Sequence, residues 1–174
     1  VRMSEVPRFG GDIVSVTVSR TAGHWFASLM FRVESTGSIT RPSDEVVGID
    51  LGVRELVLSN GERHPAPREY RRAERQLRRA QQALSRKQKG SNNRKKAKAK
   101  VARLHYRTRC ARENWQHQFT HHITQDFGTV VIEDLNVSGM KKNRSLAKSV
   151  SDVGFGELRR QIEYKAAQSG ATVI

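Results

Sequence analysis

The sequence predicts a mixed α/β sheet interrupted by a long, strongly basic helical hairpin. Three observations carry that expectation. Short β-branched runs recur before residue 65 and after residue 128, the apolar period turns helical in between, and that helical stretch holds nearly all the unbalanced positive charge.

The elements come in this order. Residues 11–34 alternate, with Ile13, Val14, Val16 and Val18 in DIVSVTVSR and Phe26, Leu29, Phe31 and Val33 in WFASLMFRVE. They read as two strands of a hairpin turning at Ala22-Gly23. Two strands alone are marginally stable, so this hairpin is expected to join a larger sheet or to pack on the later part of the chain. STGSITRPSDE, 35–45, is a polar connector that divides the chain into 1–45 and 46–174. VVGIDLGVRELVLSNGERH then predicts a strand, a turn near Gly52, a strand over 54–59 and a tight turn at Asn60-Gly61.

From about Arg68 a thin apolar seam (Ala73, Leu77, Ala80, Leu84) runs through an Arg/Gln-rich helix, and KGSNN at 89–93 breaks it. A second helix is predicted from about Arg94 to Asp126, with Val101, Leu104, Ala111, Trp115, Phe119, Ile123 and Phe127 on one stripe. The pair forms an αα-hairpin inserted over 66–127. Its basic tip should project, because the aromatics gather only at its return end. GTVVIE then reads as a strand buried on both faces. SGMKKNRSLAKSVSD reads as a basic loop, FGELRRQIEYKAAQ as a helix and ATVI as a last strand.

A chain of 174 residues is one ordinary domain, or one domain and part of another. A single cysteine, Cys110, excludes a disulfide framework and a zinc site built from cysteine pairs, which favours a reducing cytoplasm. No apolar stretch has membrane length, so no membrane partner is expected. The net charge is +15, and its placement says more than its size. Between Arg68 and Arg112 eighteen Lys and Arg face two Glu, leaving the remainder close to neutral. That is the footprint of a polyanion-binding surface, against the alternative of a merely solvated helical face.

Two carboxylates interrupt apolar runs: Asp50 in VVGIDLG and Glu133 in TVVIED. A lone charge in a buried strand is costly. Singly, Asp50 is equally readable as a turn cap and Glu133 as a salt-bridge partner of the helical hairpin. Together they either repel, raising a pKa and holding a proton, or share a hard divalent cation such as Mg²⁺.

The ordered series GIDLGVRELVLSNG, RRAERQLRRAQQALSRKQKGSNNRKKAKAKVARLH and VVIEDLNVSGMKKNRSLAKSVSDVGFGELRRQIEYKA closely resembles the TnpB family. These are insertion-sequence proteins, long labelled transposases and related to type V CRISPR effector nucleases. The resemblance implies an RNA-guided DNA endonuclease of transposable elements, with an RNase H-like (RuvC-type) domain over 46–174. In that family Asp50 and Glu133 fall on catalytic, metal-binding positions for Mg²⁺ or Mn²⁺. Residues 1–45 would close an oligonucleotide-binding-like wedge domain. Guide RNA and target DNA are the implied partners, with no small-molecule substrate, in a prokaryotic cytoplasm at the nucleoid. The alternative is a non-catalytic guide RNA or DNA-binding module, or a repressor, that keeps the fold.

The nucleic-acid-binding set expected on this reading is Arg71, Arg72, Arg75, Arg78, Arg79, Arg86, Lys87, Arg94, Lys95, Lys96, Lys98 and Lys100 on the hairpin. Lys141, Lys142 and Arg144 join it after the second acidic strand. The family also carries an N-terminal recognition region, a cysteine-pair zinc ribbon and a third catalytic aspartate, none of them within these residues. The chain is therefore expected to be part of a longer protein. Only Asp134, Asp152, Glu157 and Glu163 follow Glu133 as further carboxylates, and none lies in the expected motif. Asp134 should point to the other face of its strand, and Asp152 should be a helix N-cap or loop residue. Trp115 is expected in the core and Trp25 could stack on bases. His121 and His122, adjacent on a helix, point about 100° apart and are expected in surface or packing roles.

Overall fold

A computed structural model of the chain describes residues 5–7, 10–32 and 43–174. Most of the 35–45 connector, 35–42, lies outside the described residues, and so does Val33 of the first hairpin.

The alternating run at the start forms β1 (Asp12–Thr21) and β2 (His24–Arg32), paired antiparallel. Ala22 and Gly23, both at positive φ (52° and 93°), make the turn, the primed geometry that matches strand twist. Among the described residues this is a separate two-stranded sheet, exposed along almost its whole length. It touches the rest through His24, stacked at 5.4 Å on Tyr106, and Phe26, 6.1 Å from the same ring.

The main sheet has five strands: β3 (Val46–Leu51), β4 (Glu55–Leu58), β5 (Arg63–Pro65), β6 (Thr129–Ile132) and β7 (Thr172–Val173). They lie in the order β5-β4-β3-β6-β7. The first three are antiparallel neighbours, while β6 pairs parallel with both β3 and β7. Gly52 closes the β3–β4 turn, where any Cβ would collide with the Glu55 carbonyl. Asn60-Gly61 makes the next turn, with Gly61 at φ 94°.

Between β5 and β6 stand α1 (Glu69–Ser85) and α2 (Asn92–Asp126). Leu77, Ala80 and Leu104 make a small cluster of their own, with Tyr70, Ala73 and Val101 against it. No residue of α2 before Leu104 is buried, so the outer part of the hairpin stands clear of the main core. Its return end is different: Phe119, Ile123 and Phe127 belong to the main cluster with Val47, Ile49, Leu56, Leu58, Val130 and Ile132.

After β6 the expected basic loop is instead two short helices, α3 (Val137–Lys142) and α4 (Ala147–Val153). Asn136 caps the first, its Oδ1 accepting from the Gly139 N–H at 2.9 Å. Val150 and Val153 are buried, and Met140 and Leu146 pack against the core. Those four apolar residues supply the anchoring that the polar composition conceals. α5 (Phe155–Ser169) follows and buries Phe155, Leu158 and Ile162.

Burial alternates along β3, β4 and the second half of β6. Val47, Ile49, Leu51, Leu56, Leu58, Val130 and Ile132 lie in the helix-covered core, whereas Val46, Asp50, Val131 and Glu133 are exposed. The strands at the two acidic residues are therefore not buried on both faces, as their composition suggests. VVGID and TVVIE read as continuous apolar runs because Val46 and Val131, 61% and 38% exposed, occupy the open face.

Candidate functional site

Parallel pairing of β3 with β6 sets Val47 beside Val130 and Ile49 beside Ile132. The next residue on each side is Asp50 and Glu133. Neighbouring strands lie about 5 Å apart, so the two carboxylates stand side by side at the same, carboxyl-terminal, edge of the sheet. They share the open face: both are exposed, and both line one concavity with Val131. Together with Gly48, Val57, Ser59 and Val131 they line an open concavity of about 530 Å³.

Both acids are exposed, so the cost of burying a lone carboxylate plays no part at this site. Among the described residues neither carboxylate forms an ion pair or a hydrogen bond, which leaves the turn-cap and salt-bridge readings without support. Two adjacent hard oxygen donors with free lone pairs fit a divalent ion such as Mg²⁺ or Mn²⁺.

The four later carboxylates are all engaged elsewhere. Asp134 lies beyond the end of β6 and accepts from Arg159 at 2.6 Å, so strand alternation does not set its direction. Glu163 takes the other side of Arg159, at 2.9 Å, and Glu157 pairs with Arg160 at 2.7 Å. Asp152, 2% exposed, sits in α4 rather than in a loop. It caps not its own helix but α1, accepting from the Tyr70 and Arg71 N–H groups at 3.0 and 3.3 Å.

The cationic set divides. Arg75, Arg78, Arg79, Arg86, Lys87, Lys95, Lys96, Lys98 and Lys100 are exposed along the helical hairpin. Arg94 is half-buried and donates from its guanidinium to the Leu84 and Lys87 carbonyls, at 3.2 and 3.0 Å, locking the α1–α2 turn. Arg71 donates to Ser149 at 2.8 Å, and Arg72 pairs with Glu69. Lys141 and Lys142 form the last turn of α3 and Arg144 lies just beyond it, all three exposed. Trp115 is partly buried against the core and stacks on Phe119 at 5.4 Å. Trp25 is 68% exposed, with the Arg20 guanidinium 5.2 Å from its ring centroid. Residue patterns do not single out His122, which meets Glu62 and His64 across the sheet edge; the spacings Glu62-x-His64 and His122-x-x-x-Asp126 are the signal that could.

The fold is a mixed α/β sheet carrying an inserted helical hairpin. A solved Cas12f1 chain, from the "Cryo-EM structure of the Cas12f1-sgRNA-target DNA complex", is similar over 86% of this chain and 32% of its own, with a TM-score of 0.51 and 20% identity. The family model described as "Probable transposase" (OrfB of IS605) matches residues 28–144, and the chain belongs to that family, the TnpB family. A "Putative RNA-guided DNA endonuclease" of Streptomyces pristinaespiralis is 42% identical over all of this chain. The "Putative RNA-guided DNA endonuclease InsQ" of Escherichia coli (strain K12) is 34% identical over 94% of it. The chain spans 43% and 44% of the length of these two relatives. Among the described residues no helix is long and apolar enough to cross a membrane.

Proposed function

We propose that residues 46–174 belong to the catalytic domain, RNase H-like and of RuvC type, of an RNA-guided DNA endonuclease. One observation carries the reading: Asp50 and Glu133 adjoin at the carboxyl ends of two parallel strands, on the face that the helices leave open. In open α/β sheets that edge is where ligands bind. Asp50 and Glu133 would hold Mg²⁺ or Mn²⁺, whose chemistry there is to lower the pKa of bound water and offset charge on a phosphodiester. The exposed Arg and Lys of the helical hairpin would hold nucleic-acid backbone, with Lys141, Lys142 and Arg144 contacting phosphate beside the site. The β1–β2 hairpin would belong to a wedge domain gripping guide RNA and flanking DNA, with base pairing reading most of the sequence.

A non-catalytic binding module is the second reading. It is favoured by the engagement of Asp134, Asp152, Glu157 and Glu163 elsewhere, which leaves two free carboxylates where three are expected. The test uses the longer protein containing this chain, with guide RNA, target DNA and Mg²⁺. Asp50→Ala and Glu133→Ala are each expected to reduce cutting below detection while target binding stays within about twofold. Equal cutting by all three proteins would overturn the nuclease reading.

A further inference from the structure

We propose a second metal site, independent of Asp50 and Glu133, in which Glu62, His64 and His122 bind a borderline divalent ion of the Zn²⁺ type. Their ligand atoms all lie within 4.8 Å of one another. Both imidazole Nε2 atoms converge on the same Glu62 oxygen, Oε2, at 3.3 Å from His64 and 3.1 Å from His122. Tetrahedral coordination with bonds of about 2.0–2.1 Å sets ligand atoms about 3.3 Å apart. Two of the three ligand pairs are thus already spaced as edges of a coordination polyhedron.

Each ligand is positioned by a different piece of structure. Glu62 comes directly after the Asn60-Gly61 turn, and its other oxygen accepts from Asn60 Nδ2 at 2.7 Å, which aims Oε2 inward. His64 is on β5, opposite Leu56 and so on the helix-covered face, with its ring edge-on to Phe119 at 5.0 Å. His122 comes from α2 and packs near Phe127, 6.4 Å between ring centres. Its Nδ1 faces Asp126 Oδ2 at 2.6 Å. A carboxylate on the far nitrogen is the usual orienting partner of a metal-bound histidine.

The geometry around His122 favours a cation here, because the ring presents a carboxylate to each of its nitrogens. With Nδ1–H donating to Asp126, a metal ion between Nε2 and Glu62 Oε2 would give both acceptors a partner. Two imidazoles and one carboxylate suit Zn²⁺, Co²⁺ or Fe²⁺ better than Mg²⁺. Three protein ligands leave a position for water, and side chains 28–43% exposed give the ion a way in. Such an ion would clip the β4–β5 hairpin to the base of the helical hairpin, on the sheet face opposite Asp50.

The test is a Co²⁺ and Zn²⁺ titration of the chelator-stripped chain carrying Asp50→Ala and Glu133→Ala, so that the other carboxylate pair cannot contribute. One equivalent of Co²⁺ should bind with the visible d–d bands of a four-coordinate ion, be displaced by Zn²⁺ and resist excess Mg²⁺. His64→Gln and His122→Gln should each abolish uptake, and Asp126→Asn should weaken it about 10–100-fold. His64 lies on an edge strand, so its variant remains informative if His122→Gln fails to fold. A Zn²⁺-dependent rise in melting temperature, present in the parent chain and absent in His64→Gln, is the second readout. No stoichiometric uptake, or uptake unchanged in His64→Gln, would overturn the site.

Discussion

Asp152 shows how much one side chain can do away from any chemistry. The first N–H groups of a helix have no partner within the helix, and Arg68 at the start of α1 offers no side-chain cap. A carboxylate from α4 fills that role from 81 and 82 positions away. It also sets a negative charge at the positive end of the helix dipole. Asp152→Ala leaves two N–H groups of α1 unpaired and should destabilise the chain by about 1–3 kcal/mol in urea unfolding. Asp152→Asn keeps one acceptor and should recover part of that loss. Equal stability of all three would mean that the helix start does not need the cap. The sequence offers Asp152 as a helix N-cap or a loop residue but not which helix it caps, because the partner lies far off in the chain. Asp50 and Glu133 are legible because a carboxylate breaks a β-branched run. Their exposure is not, since valines on an open face and valines in a core read the same.

Among the elements, the long helices are legible from periodicity and turn chemistry and fall within a few residues of the structure. The region after β6 is not, because α3 and α4 are too short to show a period. They are held by a cap and by contacts with distant residues. At the start of α5, Glu157 ties the first turn down. Hydrogen bonds from Arg160, at 2.7 and 2.9 Å, hold its carboxyl down to about 2, with Gln161 adding to them against the upward push of partial burial. Because the folded pKa lies below the ordinary 4.5, this contribution is complete above about pH 4.5 and disappears as the pH falls towards 2. The side chain is 41% exposed, so screening limits the effect to roughly 0.5–1 kcal/mol. The stability difference between the parent chain and Glu157→Gln should therefore shrink between pH 4.5 and 2, as followed by urea unfolding at each pH. A difference independent of pH would dissociate the Arg160 pairing from the stability of α5.

Across the protein, the positive charge and the paired carboxylates lie in different places. The positive excess sits on the α1–α2 hairpin, whose outer part clears the main core, while Asp50 and Glu133 stand on the sheet face away from the helices that cover it. The first feature is plain in the sequence as a local excess of charge. The second depends on strand register, which composition does not encode. This separation predicts that the two proposed roles can be removed independently. Replacing Arg78, Arg79, Lys95 and Lys96, all exposed, with alanine should weaken the chain's binding to duplex DNA. It should also reduce the slope of log K against log salt by up to about 3.6, at about 0.9 for each phosphate no longer neutralised. Asp50→Ala with Glu133→Ala removes negative charge from the other face and should leave that slope unchanged, with affinity equal or slightly higher. Fluorescence anisotropy across a salt series measures both. A slope unaltered by the four alanines would show that the hairpin charges are only solvated. A slope altered by the carboxylate pair would place DNA against the open sheet face instead.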